Sequence, residues 1–159
     1  MNDDFIDFLV LLAKYNVDFM VIGGHAYVLH VQSRYTKDLD VWVRPTPENL
    51  ERLRLASLAF ANIDFSVEDA LTLLGTNKLG FPLVGLEPNI IEVLLRIKAV
   101  DFEPAFSRAV RVQLRDAQVP FIHPHDQIRN KRAAGRPRDL ADVADLVRLH
   151  GEPIDEEGG

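Results

Sequence analysis

The sequence predicts an α/β (α+β) fold built on a mixed β-sheet. Three observations predict it. Segments with apolar residues at helical spacing alternate along the chain with short runs of strand formers. No internal repeat and no Pro/Gly/Ser-rich linker divides them. The 159 residues, 47% hydrophobic and 26% charged, suit a single core. A chain of that size buries roughly 70% of its unfolded surface and needs no staple.

The elements follow in order. Phe5, Ile6, Phe8, Leu9, Leu12 and Ala13 recur at helical spacing behind an N-cap at Asn2 or Asp3, which gives a first helix. Phe5, Phe8 and Phe19 are core residues. Residues 18–22 form an apolar run ended by Gly23-Gly24 and read as a buried strand. Residues 25–31 read as a short helix. Residues 39–44 are rich in strand formers and stop at Pro45. Thr46 and Pro47 open the next helix as cap and first helical residue, and it runs to about Phe60.

Ser66 to Asp69 has the form of a capping box, so a short helix covers 67–74. Residues 79–84 read as a strand interrupted by Gly80 and Pro82 and ended by Gly85. Residues 90–95 are a strand, and 101–107 a short helix. Residues 110–114 and 119–122 pair as strands around a polar turn. Two helices, 124–133 and 137–150, close the chain and meet at Gly135. This gives one domain over residues 1–150. Residues 151–159 form a frayed acidic tail with Glu152, Asp155, Glu156 and Glu157.

Composition narrows the function. The chain has no cysteine, which excludes disulfides, zinc-thiolate sites, iron–sulfur clusters and a cysteine nucleophile. Its net charge of −6 argues against a protein that coats nucleic acid. The start is acidic where a signal peptide needs a basic stretch. No apolar run approaches the ~20 residues that span a bilayer. A soluble, cytoplasmic protein without a membrane partner is expected.

The chemistry concentrates between Gly23 and Val41. Asp38 and Asp40 alternate on entry to a strand, so they project on one face. Two adjacent carboxylates repel unless a cation sits between them. Magnesium suits such an all-oxygen site, completed by phosphate oxygens and water. The bland alternative is a solvated strand face, although Trp42 and Arg44 on the same face are not a plain solvent pattern. Gly23-Gly24 ahead of a helix suits phosphate, because backbone N–H groups at a helix start bind anions. It equally suits a tight turn with positive φ.

Glu92 lies mid-strand among apolar neighbours. Beside the Asp38/Asp40 strand it would complete a carboxylate trio, and such a trio can hold two metal ions about 4 Å apart. Residues 129–138 carry Arg129, Lys131, Arg132, Arg136 and Arg138. They suit a clamp for triphosphate or a nucleic-acid backbone, or in part a helix end whose bases complement its dipole. His25 can reach a phosphate or simply pack. His123 and His125 lack the further ligands of a zinc site.

Together these motifs resemble the nucleotidyltransferase superfamily with its polymerase-beta-like fold. Its pattern is a Gly-rich turn, then Asp-x-Asp, then a later strand carboxylate. Gly23-Gly24, Asp38, Asp40 and Glu92 match in that order. The chain is most similar to small bacterial nucleotidyltransferase-like proteins related to AbiEii-type toxins of abortive-infection and toxin–antitoxin systems. Gly23-Gly24-His25-Ala26, the run from Arg34 to Asp40 and the run from Lys131 to Asp139 carry that likeness, which spans residues 5–150. Two positions depart from the pattern. Glu92 stands where Asp is common, and Arg138 where Lys is usual.

The resemblance implies a nucleotidyltransferase-type mixed sheet flanked by helices, with a small helical C-terminal part. It implies a magnesium (or manganese) ion on Asp38, Asp40 and Glu92, with Glu92 as a third ligand or the base. Gly23, Gly24, Arg34 and Lys131 would hold a nucleoside triphosphate. The acceptor hydroxyl could belong to RNA, a protein or a small molecule such as an aminoglycoside, and a cognate antitoxin is a possible partner. Two other readings stand beside this one. One is a catalytically weakened binding or regulatory protein of the same fold, which the departure at Glu92 keeps open. The other is a nucleic-acid-binding domain resting on residues 129–138 alone, against which the net charge counts.

Overall fold

Local signals set the helix ends. The Asn2 side chain accepts a hydrogen bond from Phe5 N at 2.8 Å and starts helix α1, Asp3–Lys14. Strand β1, Phe19–Ile22, leads directly into α2, Gly23–His30. Strand β2 is Leu39–Val43. Thr46 caps α3, Pro47–Ala61, with Pro at its start. Ser66 caps α4, Val67–Thr72, and a 3-10 turn at Leu73–Gly75 follows. Strands β3, Gly80–Val84, and β4, Ile91–Leu94, come next, then α5, Phe102–Ser107. The hairpin of β5, Val110–Leu114, and β6, Ala117–Phe121, precedes α6, Pro124–Ala134, and α7, Pro137–His150. Gly135, in the left-handed region at φ 69°, joins the last two helices as expected.

The computed structural model describes residues 1–84 and 89–154. Gly85, expected to end the third strand, and residues 155–159 of the expected tail lie outside them. Glu152, at the start of that tail, pairs with Arg132 at 2.7 Å, and the Ile154 carbonyl accepts from Arg129. Among the described residues no helix is long and apolar enough to cross a membrane.

Six strands, counted among the described residues, form one sheet in the order β3-β4-β2-β1-β6-β5. The β1/β2, β3/β4 and β5/β6 pairs are antiparallel, and β1/β6 and β2/β4 are parallel. The fold is therefore α/β with a mixed sheet. Pro82 is tolerated because β3 is an edge strand. The chain enters the core through α1, whose Phe5, Phe8, Leu9 and Leu12 are buried with Phe19, Leu50 and Leu53. Each such side chain contributes about 1.5–3 kcal/mol on burial, so this stripe, not intrinsic propensity, holds the helix on the sheet. Trp42, on the Asp40 face of β2, is covered by α5, with its ring 5.2 Å from Phe102. A smaller apolar cluster of Ile128, Val143 and Leu146 binds α6 to α7.

One buried polar residue fixes the far end of the β1/β2 pair. The Asn49 carboxamide accepts from Asp18 N at 2.8 Å and donates to the Asp18 and Arg44 carbonyls, both at 2.9 Å. All its hydrogen-bonding groups are thereby used inside the core.

Candidate active site

β1 ends at Ile22 and the chain turns at Gly23, where φ is 68°. The sequence places the next helix at residue 25; it begins two residues earlier, in the turn itself. Each glycine lets something approach. A Cβ on Gly23 would overlap the Asp40 carboxylate, and one on Gly24 would overlap the Thr36 side chain. So Gly23 makes room for an acid and Gly24 for the loop that leads to it. The first-turn N–H groups of a helix have no intrahelical acceptors and favour an anion.

The ladder of β2 opens at Leu39, whose N–H donates to the Ile90 carbonyl at 2.9 Å. Asp38 therefore stands just before the strand, and strand alternation does not govern it. Asp38 and Asp40 nonetheless line one polar cavity of about 470 Å³, together with Gly23, Gly24, Arg34 and Lys131. On β4, Glu92 sits in register beside Asp40. The placement that the sequence made conditional on strand order is thus present. Glu92 is exposed. Among the described residues no three His, Asp or Glu side chains converge, as they stand, to hold a metal ion.

The electrostatics of this cluster are unbalanced. The Asp40 carboxyl is pushed up to about 6 by burial first, then by the charges of Glu92 and Asp38, against weaker help from Lys131 and Arg138. Asp38 Oδ1 is buried with no hydrogen-bond partner. An orphaned buried acceptor costs about 1–3 kcal/mol. Crowded carboxylates, an orphaned oxygen and a glycine cradle against Asp40 all fit a hard divalent cation on Asp38 and Asp40. Glu92 stands next to that pair without closing a three-carboxylate set.

The opposite wall is cationic. Lys131 on α6 is buried, with Nζ 2.9 Å from Asp142 Oδ2 and 3.8 Å from Asp139 Oδ1. Arg34 donates to both Asp142 oxygens, at 2.8 and 3.0 Å. Burial works against the Asp142 charge, but Arg34 and Lys131 outweigh it and hold the carboxyl below its usual range. Arg136 caps α7 through Asp139, its Nε 2.6 Å from Oδ2. Arg138 lines the polar cavity and acts on Asp40 through its charge. Arg132 lies in the last turn of α6 and pairs with Glu152, whereas Arg129 lies further back and pairs with Asp126 in the first turn.

A second cavity of about 460 Å³ adjoins the first and shares Gly23, Asp40 and Lys131 with it. Its floor is more apolar, with Leu79, Leu94, Ile97 and Ile122. Asp40 stands at the boundary of the two. Gln127, on α6, donates from Nε2 to the Gly23 carbonyl at 3.0 Å and ties that helix to the turn. A further cavity of about 650 Å³ lies against α1 and contains none of these residues.

Sequence reasoning missed Asp142, Gln127 and Tyr27. A signal for the first was present: Asp139, Asp142 and Asp145 recur every third residue, which puts three acids on one face of α7. The histidines lie apart from the acids. His25 is buried edge-on to Phe5 and lines neither of the two adjoining cavities. His123 caps α6, its Nδ1 accepting from His125 N at 3.0 Å.

No family model and no curated protein matches the sequence. Among solved structures, an antigenic nucleotidyltransferase-like protein from Paracoccidioides brasiliensis is similar over 94% of this chain and 78% of its own, at 16% identity and a TM-score of 0.43. ANT(2″)-Ia, solved in complex with adenylyl-2″-tobramycin, is similar over 89% of this chain and 84% of its own, at 12% identity and a TM-score of 0.47. The site of this chain is an acidic strand end under a glycine turn, faced across a cleft by lysine and arginine.

Proposed function

We propose that the chain is a magnesium-dependent nucleotidyltransferase that moves a nucleoside monophosphate from a nucleoside triphosphate to a hydroxyl acceptor. One observation carries the reading. Asp40, crowded by Glu92 and Asp38 and packed against Gly23, faces Lys131 and Arg34 across a cleft. Anions on one side and cations on the other suit a ligand that is itself a polyanion carrying a metal.

In this reading the acceptor oxygen bonds to the α-phosphorus and the bond from that phosphorus to the bridging oxygen of the β-phosphate breaks. Pyrophosphate departs with the bonding electrons. A divalent cation on Asp38 and Asp40 supplies charge neutralisation and alignment of the oxygens when bound. Gly23 and Gly24 offer peptide N–H groups to the phosphates. Lys131 and Arg34 steady the departing pyrophosphate. Glu92 is the carboxylate placed to take the hydroxyl proton, or else a third ligand. The acceptor hydroxyl is that of RNA, a protein or a small molecule, and a place in a toxin–antitoxin pair rests on the sequence motifs alone.

Calorimetric titration with each of the four nucleoside triphosphates, with and without magnesium, tests the proposal. Magnesium-dependent binding that is lost in an Asp38→Ala/Asp40→Ala variant is expected. The exposure of Glu92 and the unclosed carboxylate set favour one rival, a non-catalytic binding protein of the same fold. Absence of binding to every triphosphate would move the assignment to it.

A further inference from the structure

Arg34 reaches the polar cavity from a loop, yet its guanidinium is held from two directions. Asp142 takes both terminal nitrogens in a fork. The Tyr27 ring lies beneath it, its centroid 3.8 Å from Cζ. Tyr27 is fixed in turn. It is buried, and its hydroxyl donates to Asp145 Oδ2 at 2.8 Å. Burial first, then Asp145, push the phenol up from its ordinary value and keep it a neutral donor. Asp142 and Asp145 are about one turn apart, so one face of α7 holds Arg34 directly and its aromatic support from behind.

The Arg34 side chain is 41% exposed, a setting in which an arginine samples many rotamers. The fork fixes its plane, and the ring removes the remaining freedom. A cation–π contact of this kind stabilises the ordered posture. Ordering the side chain before a ligand arrives spares that cost at binding.

We infer that Tyr27 is a positioning residue for the polar cavity, acting through Arg34 to present an ordered guanidinium to a polyphosphate. The identity of that anion rests on the function proposed above; the posture of Arg34 does not. The competing explanation is structural: the stack merely pins the loop after α2 to α7.

A double-mutant cycle separates the two. Each protein is titrated calorimetrically, with magnesium, using inorganic tripolyphosphate and the four nucleoside triphosphates in turn. Tyr27→Leu is expected to weaken binding about fivefold, the worth of one cation–π contact. Tyr27→Phe keeps the ring and stays within about twofold of wild type. In an Arg34→Met background Tyr27→Leu is expected to cost nothing further. An equal loss in that background, or no loss in the wild-type background, overturns the inference while the proposed function stands. Should Tyr27→Leu fail to fold by circular dichroism, Arg34→Lys decides alone. Lysine keeps the charge but has no planar fork for Asp142 and no plane to lay on the ring, so binding close to that of Arg34→Met is expected. Wild-type affinity in Arg34→Lys overturns the inference. Failure of the wild type to bind any of the probes overturns the proposed function and, with it, this role.

Discussion

Gly23 carries two constraints in one residue: a φ of 68° and an acid pressed against its Cα. Gly23→Ala meets both. It is expected to destabilise the fold by about 1–3 kcal/mol and to abolish magnesium-dependent nucleotide binding. Gly75→Ala is the control, since an added methyl there meets nothing within 4 Å. It should change stability by less than about 1 kcal/mol. Thermal melts and calorimetry on the two variants check the contrast. Part of this was legible in the sequence, because a Gly pair between strand and helix announces a special backbone. That Gly23 serves Asp40 and Gly24 serves Thr36 was not, because one neighbour arrives on a paired strand and the other on the loop before it, and both depend on how the sheet assembles.

At the scale of elements, α7 is the helix that organises the cationic wall. Asp142 neutralises a buried lysine and holds an arginine at once. Asp142→Ala leaves the Lys131 ammonium without its nearest partner, and a loss of about 3 kcal/mol is expected. The double variant Asp142→Leu/Lys131→Met should recover much of it, read by urea denaturation. Thr46→Ala, which removes the α3 cap, is expected to cost about 1 kcal/mol and to leave nucleotide binding unchanged. Caps of this kind at Asn2, Thr46 and Ser66, and the joint at Gly135, were legible because they are local. The start of β2 at Leu39 was legible as well, but the exclusion of Asp38 from strand alternation was not. The first ladder bond of β2 runs from Leu39 to Ile90, over fifty residues along the chain, and it leaves Asp38 outside the strand. The register of Asp40 with Glu92 is hidden from sequence for the same reason, although the strand carrying Glu92 was plain.

For the whole molecule, acid stability is set by groups of opposite sign. Burial holds His25 near 4, below its ordinary 6.5, and lowers His30 and His123 too. Between those values the unfolded chain binds more protons than the folded one, so this contribution to stability rises with pH and is lost on acidification. Asp40, pushed up to about 6, opposes it. His25→Leu should therefore lose less stability than wild type between pH 7 and pH 5, measured by thermal melts at each pH. The α/β class was visible in the alternation of segments; the strand order β3-β4-β2-β1-β6-β5 was not, because it rests on pairings between segments far apart in the chain. The one tryptophan, Trp42, is buried in β2 with its ring edge-on to Phe102 and its indole N–H unpartnered. It lies on the strand that carries Asp40, two residues away. The protein therefore holds its own optical reporter, with blue-shifted emission while β2 is sealed and red-shifted emission once water enters. A tryptophan-selective melt or titration of the unlabelled chain is a reading taken from the strand that bears Asp40.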